Sequence, residues 1–163
     1  MRTNRFLRAF TLCAALFGLF GIGAESFAQK GEKTLGIMGG MATYNSGGFS
    51  QLYFQYTFAN HLRIAPDMGY VFRNEGKSAF FMDLDLQLPF RLGRGVNIYP
   101  LAGLTFNNWS WKGGGHESRL GMNFGAGLDI YLTRNLKLNL QGKYSMMNDT
   151  GGGFVGLGLG YIF

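Results

Sequence analysis

Three groups of residues in this chain have types and spacings that could do chemistry. His116, Glu117 and Ser118 sit together in the stretch GGGHESRL. A histidine beside a serine can act as base and nucleophile, and on an extended segment His116 and Ser118 would share a face. Three adjacent glycines give that pair no preorganised geometry, so the stretch reads as a flexible polar loop. Asp83 and Asp85 are two apart and share a strand face, as a general-acid and general-base pair could. His61 and His116 could ligate zinc only with carboxylates, because the one cysteine, Cys13, lies near the amino terminus. The spacing of these groups specifies no catalytic residue, no cofactor and no metal site. Repeated G-x-G stretches, such as Gly125-Ala126-Gly127, are strand alternation without the strand-to-helix context of a phosphate loop.

The remaining charged residues are more informative, and their meaning depends on the elements that carry them. The dominant pattern is period two, repeated without a helical segment. Eight alternating segments follow one another: about Thr34–Tyr44, Phe49–Phe58, Leu62–Arg73, Ala79–Phe90, Val96–Asn107, Arg119–Tyr131, Leu136–Met146 and Gly152–Phe163. The fourth is the cleanest, with Phe80, Met82, Leu84, Leu86, Leu88 and Phe90 alternating with Phe81, Asp83, Asp85 and Gln87. Every connection contains Gly or Asn, as hairpin turns require. The longest connection is expected over Asn108–Ser118. The pattern predicts an all-β chain, an eight-stranded antiparallel up-and-down β-barrel. Each segment is long enough to cross a bilayer at a tilt, for which roughly 9–11 residues suffice.

The two faces of these segments differ. The in-phase face is large and apolar, with Phe58, Phe72, Phe80, Phe90, Phe106, Tyr144 and Phe163 near segment ends. The off-phase face is rich in glycine and neutral amides, among them Gly36, Gly69, Gly103, Gly125, Gln51, Gln55, Asn123 and Asn139. A soluble lipocalin-like barrel would show Lys, Glu, Ser and Thr there. Small residues and amides suit a narrow lumen, which places the apolar face against lipid. The off-phase charges are then lumen charges: Arg63, Arg119, Lys137 and Lys143 against Asp67, Asp83, Asp85 and Asp129. Four of each sign imply a paired polar network that plugs the lumen, because an unpaired buried charge costs several kcal/mol. The acids on the third and fourth segments are expected to meet Lys143, Arg63 or both, and Asp129 to reach Lys137. A conducting ion path is the alternative.

The amino terminus reads as a secretory signal peptide over residues 1–28. Arg2, Arg5 and Arg8 precede an apolar run, and Ser26-Phe27-Ala28 supplies small residues where a signal peptidase cuts. The mature domain is then 29–163, the 135 residues left after 28 are removed from 163. Loss of Arg2, Arg5, Arg8 and Glu25 takes the formal charge from +6 to +4. The remaining cations are scattered, which excludes nucleic-acid binding.

The stretch GAGLDIYLTRNLKLNLQGKYSM (Gly125–Met146) and the terminal GLGLGYIF resemble the small eight-stranded outer-membrane barrels of the OmpA/OmpX-like group. The resemblance implies an integral protein of the bacterial outer membrane with a periplasmic amino terminus. It implies outer-membrane lipid and the barrel-insertion machinery as partners, with Leu159, Tyr161 and Phe163 as the insertion signal, and an envelope protein as a possible further partner. It implies hardly anything about activity; the first reading of the role is a non-enzymatic structural, envelope or membrane-partner one. Two other roles stay open: a lipid-modifying barrel enzyme, using a rim serine and histidine, and a narrow porin-like channel.

Overall fold

A computed structural model describes residues 30–93, 95–147 and 150–163. The signal peptide expected over residues 1–28 lies outside the described residues. Nine strand segments follow in order: β1 Lys33–Ala42, β2 Gly47–Ala59, β3 Leu62–Asn74, β4 Lys77–Gln87, β5 Phe90–Gly93, β6 Val96–Trp111, β7 Gly115–Tyr131, β8 Leu136–Met147 and β9 Thr150–Ile162. β4 and β5 are one stave of the wall. Leu88 and Pro89 interrupt it, because Pro89 has no N–H to give to the ladder. The register passes through the gap unchanged, since Gln87 faces Leu101 and Phe90 faces Ile98. The Leu88 N–H donates to the Pro100 carbonyl at 3.0 Å inside it.

All neighbours are antiparallel, and β1 pairs with β9, so the sheet closes into an eight-stave barrel with no free edge. Following partners once around the wall from Lys33 gives Tyr56, Ile64, Leu86, Ala102, Phe124, Tyr144 and Gly153. The circuit ends where the Thr43 N–H donates to the Gly153 carbonyl, so it returns to β1 ten residues beyond its start. That stagger tilts the strands against the barrel axis by roughly 35–45°.

The turns explain why the chain reverses where it does. Glu75 and Gly76 have φ of 50° and 78°, the two left-handed residues of a tight hairpin turn. The tip of β3–β4 is tied to the β6–β7 turn by the Lys112 N–H, which donates to the Gly76 carbonyl at 3.0 Å. The long loop expected over Asn108–Ser118 is not present. β6 and β7 run on as a ladder to Trp111 and Gly115, and only Lys112–Gly114 turn. Period two continues through Asn108, Ser110, His116 and Ser118 as polar residues, which hid the strand from a search for apolar alternation.

The outward face is the apolar one. Ile37, Leu84, Leu104, Leu120 and Leu157 are exposed, as are Phe72, Phe80 and Tyr144. Phe90 departs from this, being covered where its ring meets His61 at 6.0 Å. The off-phase residues are buried inside. Several inward glycines leave room for the neighbouring stave. A Cβ on Gly125 would meet the Gly142 carbonyl oxygen and lie 2.7 Å from Lys143 Cα, whereas one on outward Gly142 would meet nothing. We therefore expect Gly125→Val to cost about 1–3 kcal/mol by overpacking. Gly142→Val should change stability by less than about 0.5 kcal/mol. Equilibrium unfolding of the two variants in parallel checks this, and equal losses would contradict the inward assignment of Gly125.

Candidate functional site: the charged lumen

The lumen is filled in three tiers between the end that holds Lys30 and Phe163, here the terminal end, and the far end. At the terminal end, Arg63 is fully buried. It donates from Nη1 to Asp129 Oδ2 at 2.6 Å and from Nε to Gln87 Oε1 at 2.7 Å. Its guanidinium carbon lies 4.6 Å from the centre of the Tyr99 ring, a cation–π contact on a buried face. Asn139 donates from Nδ2 to the other Asp129 oxygen at 2.6 Å and lies 2.7 Å from the Tyr99 hydroxyl. That hydroxyl donates to Gln141 Oε1 at 3.1 Å. Lys137 is 3.8 Å from Asp129, but its nearer partner is Glu32, at 3.0 Å. The Glu32 carboxylate also accepts from the Tyr131 hydroxyl, at 3.0 Å and 3.1 Å to its two oxygens.

The middle tier gathers three acids around one ammonium. Lys143 donates to Asp83 and, at 3.1 Å, to Asp67, and lies 3.6 Å from Asp85. Asn123 donates to Asp85 Oδ1 at 3.2 Å and accepts from the Ser145 hydroxyl at 2.5 Å. Registry explains the gathering. Asp67 and Asp83 are direct partners on β3 and β4, and Asp85 is the next inward residue on β4. Lys143 reaches them across the lumen from β8. The three carboxylates lie close enough to share a metal ion. The Lys143 ammonium already occupies their midst, so the donor set does not suit a cation.

The far tier is aromatic. The Phe49 ring packs edge-on against Phe154 at 5.2 Å, and Phe81 lies 5.2 Å from Phe154. Tyr44 bridges Trp109 and Phe154, each at 5.1 Å. The Lys143 ammonium sits 5.7 Å from the Phe81 ring and 6.0 Å from Phe154, so this tier also roofs the acidic one.

Of the eight charges assigned to the lumen from sequence, seven lie in these tiers: Arg63, Asp67, Asp83, Asp85, Asp129, Lys137 and Lys143. Arg119 does not. It stands at the far rim and pairs with Glu117, two residues earlier on the same strand, at 2.8 Å. The early start of β7 carries it there. Glu32 takes a lumen place that sequence pattern could not assign, because it precedes β1. The exchange changes the balance among the described residues. Three buried cations, Arg63, Lys137 and Lys143, face five acids, where four of each sign were expected. The aromatic tier was also missed. Phe49, Phe81, Trp109 and Phe154 fall on the glycine-rich phase, and alternation marks a face without saying what fills it. His116 and Ser118 lie on the outward face of β7, opposite Ser110 and Asn108.

No family model matches the sequence, and no curated protein sequence matches it. Solved structures do. The amino-terminal barrel domain of Pseudomonas aeruginosa OprF superposes with a TM-score of 0.72 at 21% identity, covering 82% of this chain and 98% of that one. Neisserial surface protein A superposes at 0.68 with 18% identity, over 82% and 98%. The outer membrane enzyme PagL superposes at 0.52 with 14% identity, over 78% and 97%. The same wall thus carries proteins of different activity, and likeness at these identities speaks for architecture alone. The fold of this chain is that of the small eight-stranded outer-membrane β-barrels.

Proposed function

We propose that the chain is an integral protein of the bacterial outer membrane, with both termini on the periplasmic side and a non-enzymatic structural role in the envelope. The observation that carries this reading is the filled lumen. An eight-stave barrel has an interior that side chains can occupy completely, and here two ion-paired tiers and an aromatic tier occupy it. Such a wall suits a membrane-embedded partner for another envelope protein better than a pore. Outer-membrane lipid covers the apolar belt, and Leu159, Tyr161 and Phe163 serve as the signal to the insertion machinery. In planar bilayers, conductance of the wild-type protein should stay at the baseline of protein-free membranes. Stable openings would refute the sealed lumen and favour a narrow channel. The purified protein should also need detergent and migrate faster unheated than boiled, because a closed sheet satisfies its own backbone hydrogen bonds.

A lipid-modifying enzyme is the second reading. His116 and Ser118 share the outward face of β7 just beyond Leu120, where a lipid headgroup would lie. The partners opposite them, Asn108 and Ser110, bring no carboxylate to orient the histidine. Glu117 points to the other face and binds Arg119. A serine without an oriented base is a weak nucleophile. Release of acyl chains from lipid vesicles, abolished by Ser118→Ala, would overturn the non-enzymatic role.

A further inference from the structure

The surplus of acid in the lumen has one address. In the terminal tier Arg63 and Lys137 face Asp129 and Glu32, two charges of each sign. In the middle tier Lys143 faces Asp67, Asp83 and Asp85. As three carboxylates these acids would leave two negative charges uncompensated, beneath the rings of Phe81 and Phe154. The hydrogen bonds locate the shortfall. Lys143 approaches Oδ2 of each acid, and Asn123 serves Oδ1 of Asp85. Oδ1 of Asp67 and Oδ1 of Asp83 accept nothing, although these side chains are only 4% and 1% exposed.

The neighbouring elements do not supply the missing donor. On β2, Tyr53 is the register partner of Asp67, but its hydroxyl lies over Gly36 and Gly160 and makes no hydrogen bond. The Tyr44 hydroxyl makes none either. On β6, Thr105 is the register partner of Asp83 and accepts from Asn107. Ser145 of β8 donates to Asn123 of β7. Arg63, four residues from Asp67 on β3, is turned to Asp129 and Gln87. The two acids that lack a donor are directly opposed in register. Cβ atoms of such a pair lie about 4.5–5.5 Å apart, which brings two carboxyl groups within reach of one O–H···O bond. One carboxylate oxygen from each of the three acids lies within 4.8 Å of the others. Two carboxylates in one buried site do not both stay ionised, and the proton that resolves the conflict belongs to the pair.

We propose that the middle tier is a proton-binding site, in which Asp67 and Asp83 share one proton at neutral pH between the two oxygens that Lys143 leaves unserved. Folding forms this O–H bond with a proton from solvent, and unfolding returns the proton. The tier then carries one negative charge on the pair and one on Asp85, against the Lys143 ammonium and the Asn123 amide. The barrel is thereby sensitive to pH at its centre. Above about pH 5 the aspartates of an unfolded chain are ionised, so the folded state holds one proton more than the unfolded state. Stability then falls as pH rises, and the unfolding equilibrium constant grows about tenfold per pH unit from this proton. The site rests on the packing of this tier and is independent of the role of the protein in the envelope.

The test uses the folded full chain in detergent and two variants, Asp67→Asn and Asp83→Asn. In each, the new amide can donate where the shared proton stood, so both should keep the unheated gel mobility of the folded barrel. Equilibrium unfolding is measured from about pH 6 to about pH 8, and the comparison with wild type cancels every other titrating group. The ratio of unfolding constants, wild type over variant, should rise about tenfold per pH unit. Infrared spectra at neutral pH should show the carbonyl stretch of an un-ionised carboxylic acid in wild type. It should move in heavy water and be absent from both variants. The wild-type spectrum decides the matter even if a variant fails to fold. No such band in wild type, a band that survives in both variants and disappears in Asp85→Asn, or a ratio that does not change with pH would overturn the site. Calcium that stabilises the wild type, reversed by a chelator and absent in both variants, would assign the tier to a metal ion and overturn it too.

Discussion

Lys143→Met should be the most damaging single substitution in the lumen, with an expected loss of about 3–5 kcal/mol in unfolding free energy. The side chain it replaces is buried and holds Asp67, Asp83 and Asp85 together. Methionine matches the shape and removes the charge. Three carboxylates then face one another in a space roofed by Phe81 and Phe154, with Asn123 as a neutral donor to one of them. Stranding a buried charge is far worse than deleting a whole pair, because the lost partner leaves a desolvation cost uncompensated. Removing Lys143 together with Asp85 should give little relief, since Asp67 and Asp83 remain opposed. Relief should come from neutralising all three acids, as Asp67→Asn, Asp83→Asn and Asp85→Asn in the Lys143→Met background. Asp85→Asn alone should be mild, because Lys143 keeps Asp67 and Asp83. Equilibrium unfolding in a detergent or lipid system that refolds reversibly measures all of these. A mild Lys143→Met, or one not rescued by the triple neutralisation, would mean that the tier is wet and its charges are solvated.

This tier also shows how far the sequence could be read. Asp83 and Asp85 stand on the strand with the cleanest alternation, so their shared inward face was legible, and hairpin order placed Asp67 beside them. Lys143 followed from the width of an eight-stave barrel, which lets β8 face β3 and β4 across the lumen. Depth was the quantity the pattern could not deliver. Arg119 has the correct phase and the wrong height, because the ladder of β6 and β7 continues four residues past the point where apolar alternation ends. Glu32 has a lumen role that no strand pattern could assign, since it folds in from the segment before β1. The aromatic tier was hidden for another reason. Phe49, Phe81, Trp109 and Phe154 come from separate staves, β2, β4, β6 and β9, and only closure of the wall brings them together. Periodicity reports the side of a strand, whereas packing across a lumen depends on stagger, which is set by the ten-residue offset of the closed sheet.

Leu84→Arg tests the other side of the wall. Leu84 and Leu104 are paired neighbours on β4 and β6, and both are exposed on the outward face. Each lies near the middle of its stave. If that face meets hydrocarbon, arginine at either position should cost about 2–4 kcal/mol, because the guanidinium must be dragged toward the interface or carry water into the bilayer. The cost should fall with distance from the bilayer midplane. Leu92, exposed on β5 next to the turn at the terminal end, should accept arginine for about 0–1 kcal/mol. The comparison isolates the solvent, because all three leucines are exposed and none fills the core. In a water-facing barrel the three substitutions would be indistinguishable, each within about 0.5 kcal/mol of wild type. Folding free energies into phospholipid vesicles separate the cases. A graded series, with Leu84 and Leu104 far above Leu92, is the expected outcome. A flat series would turn the outward leucines toward water and remove the ground for placing this barrel in a membrane.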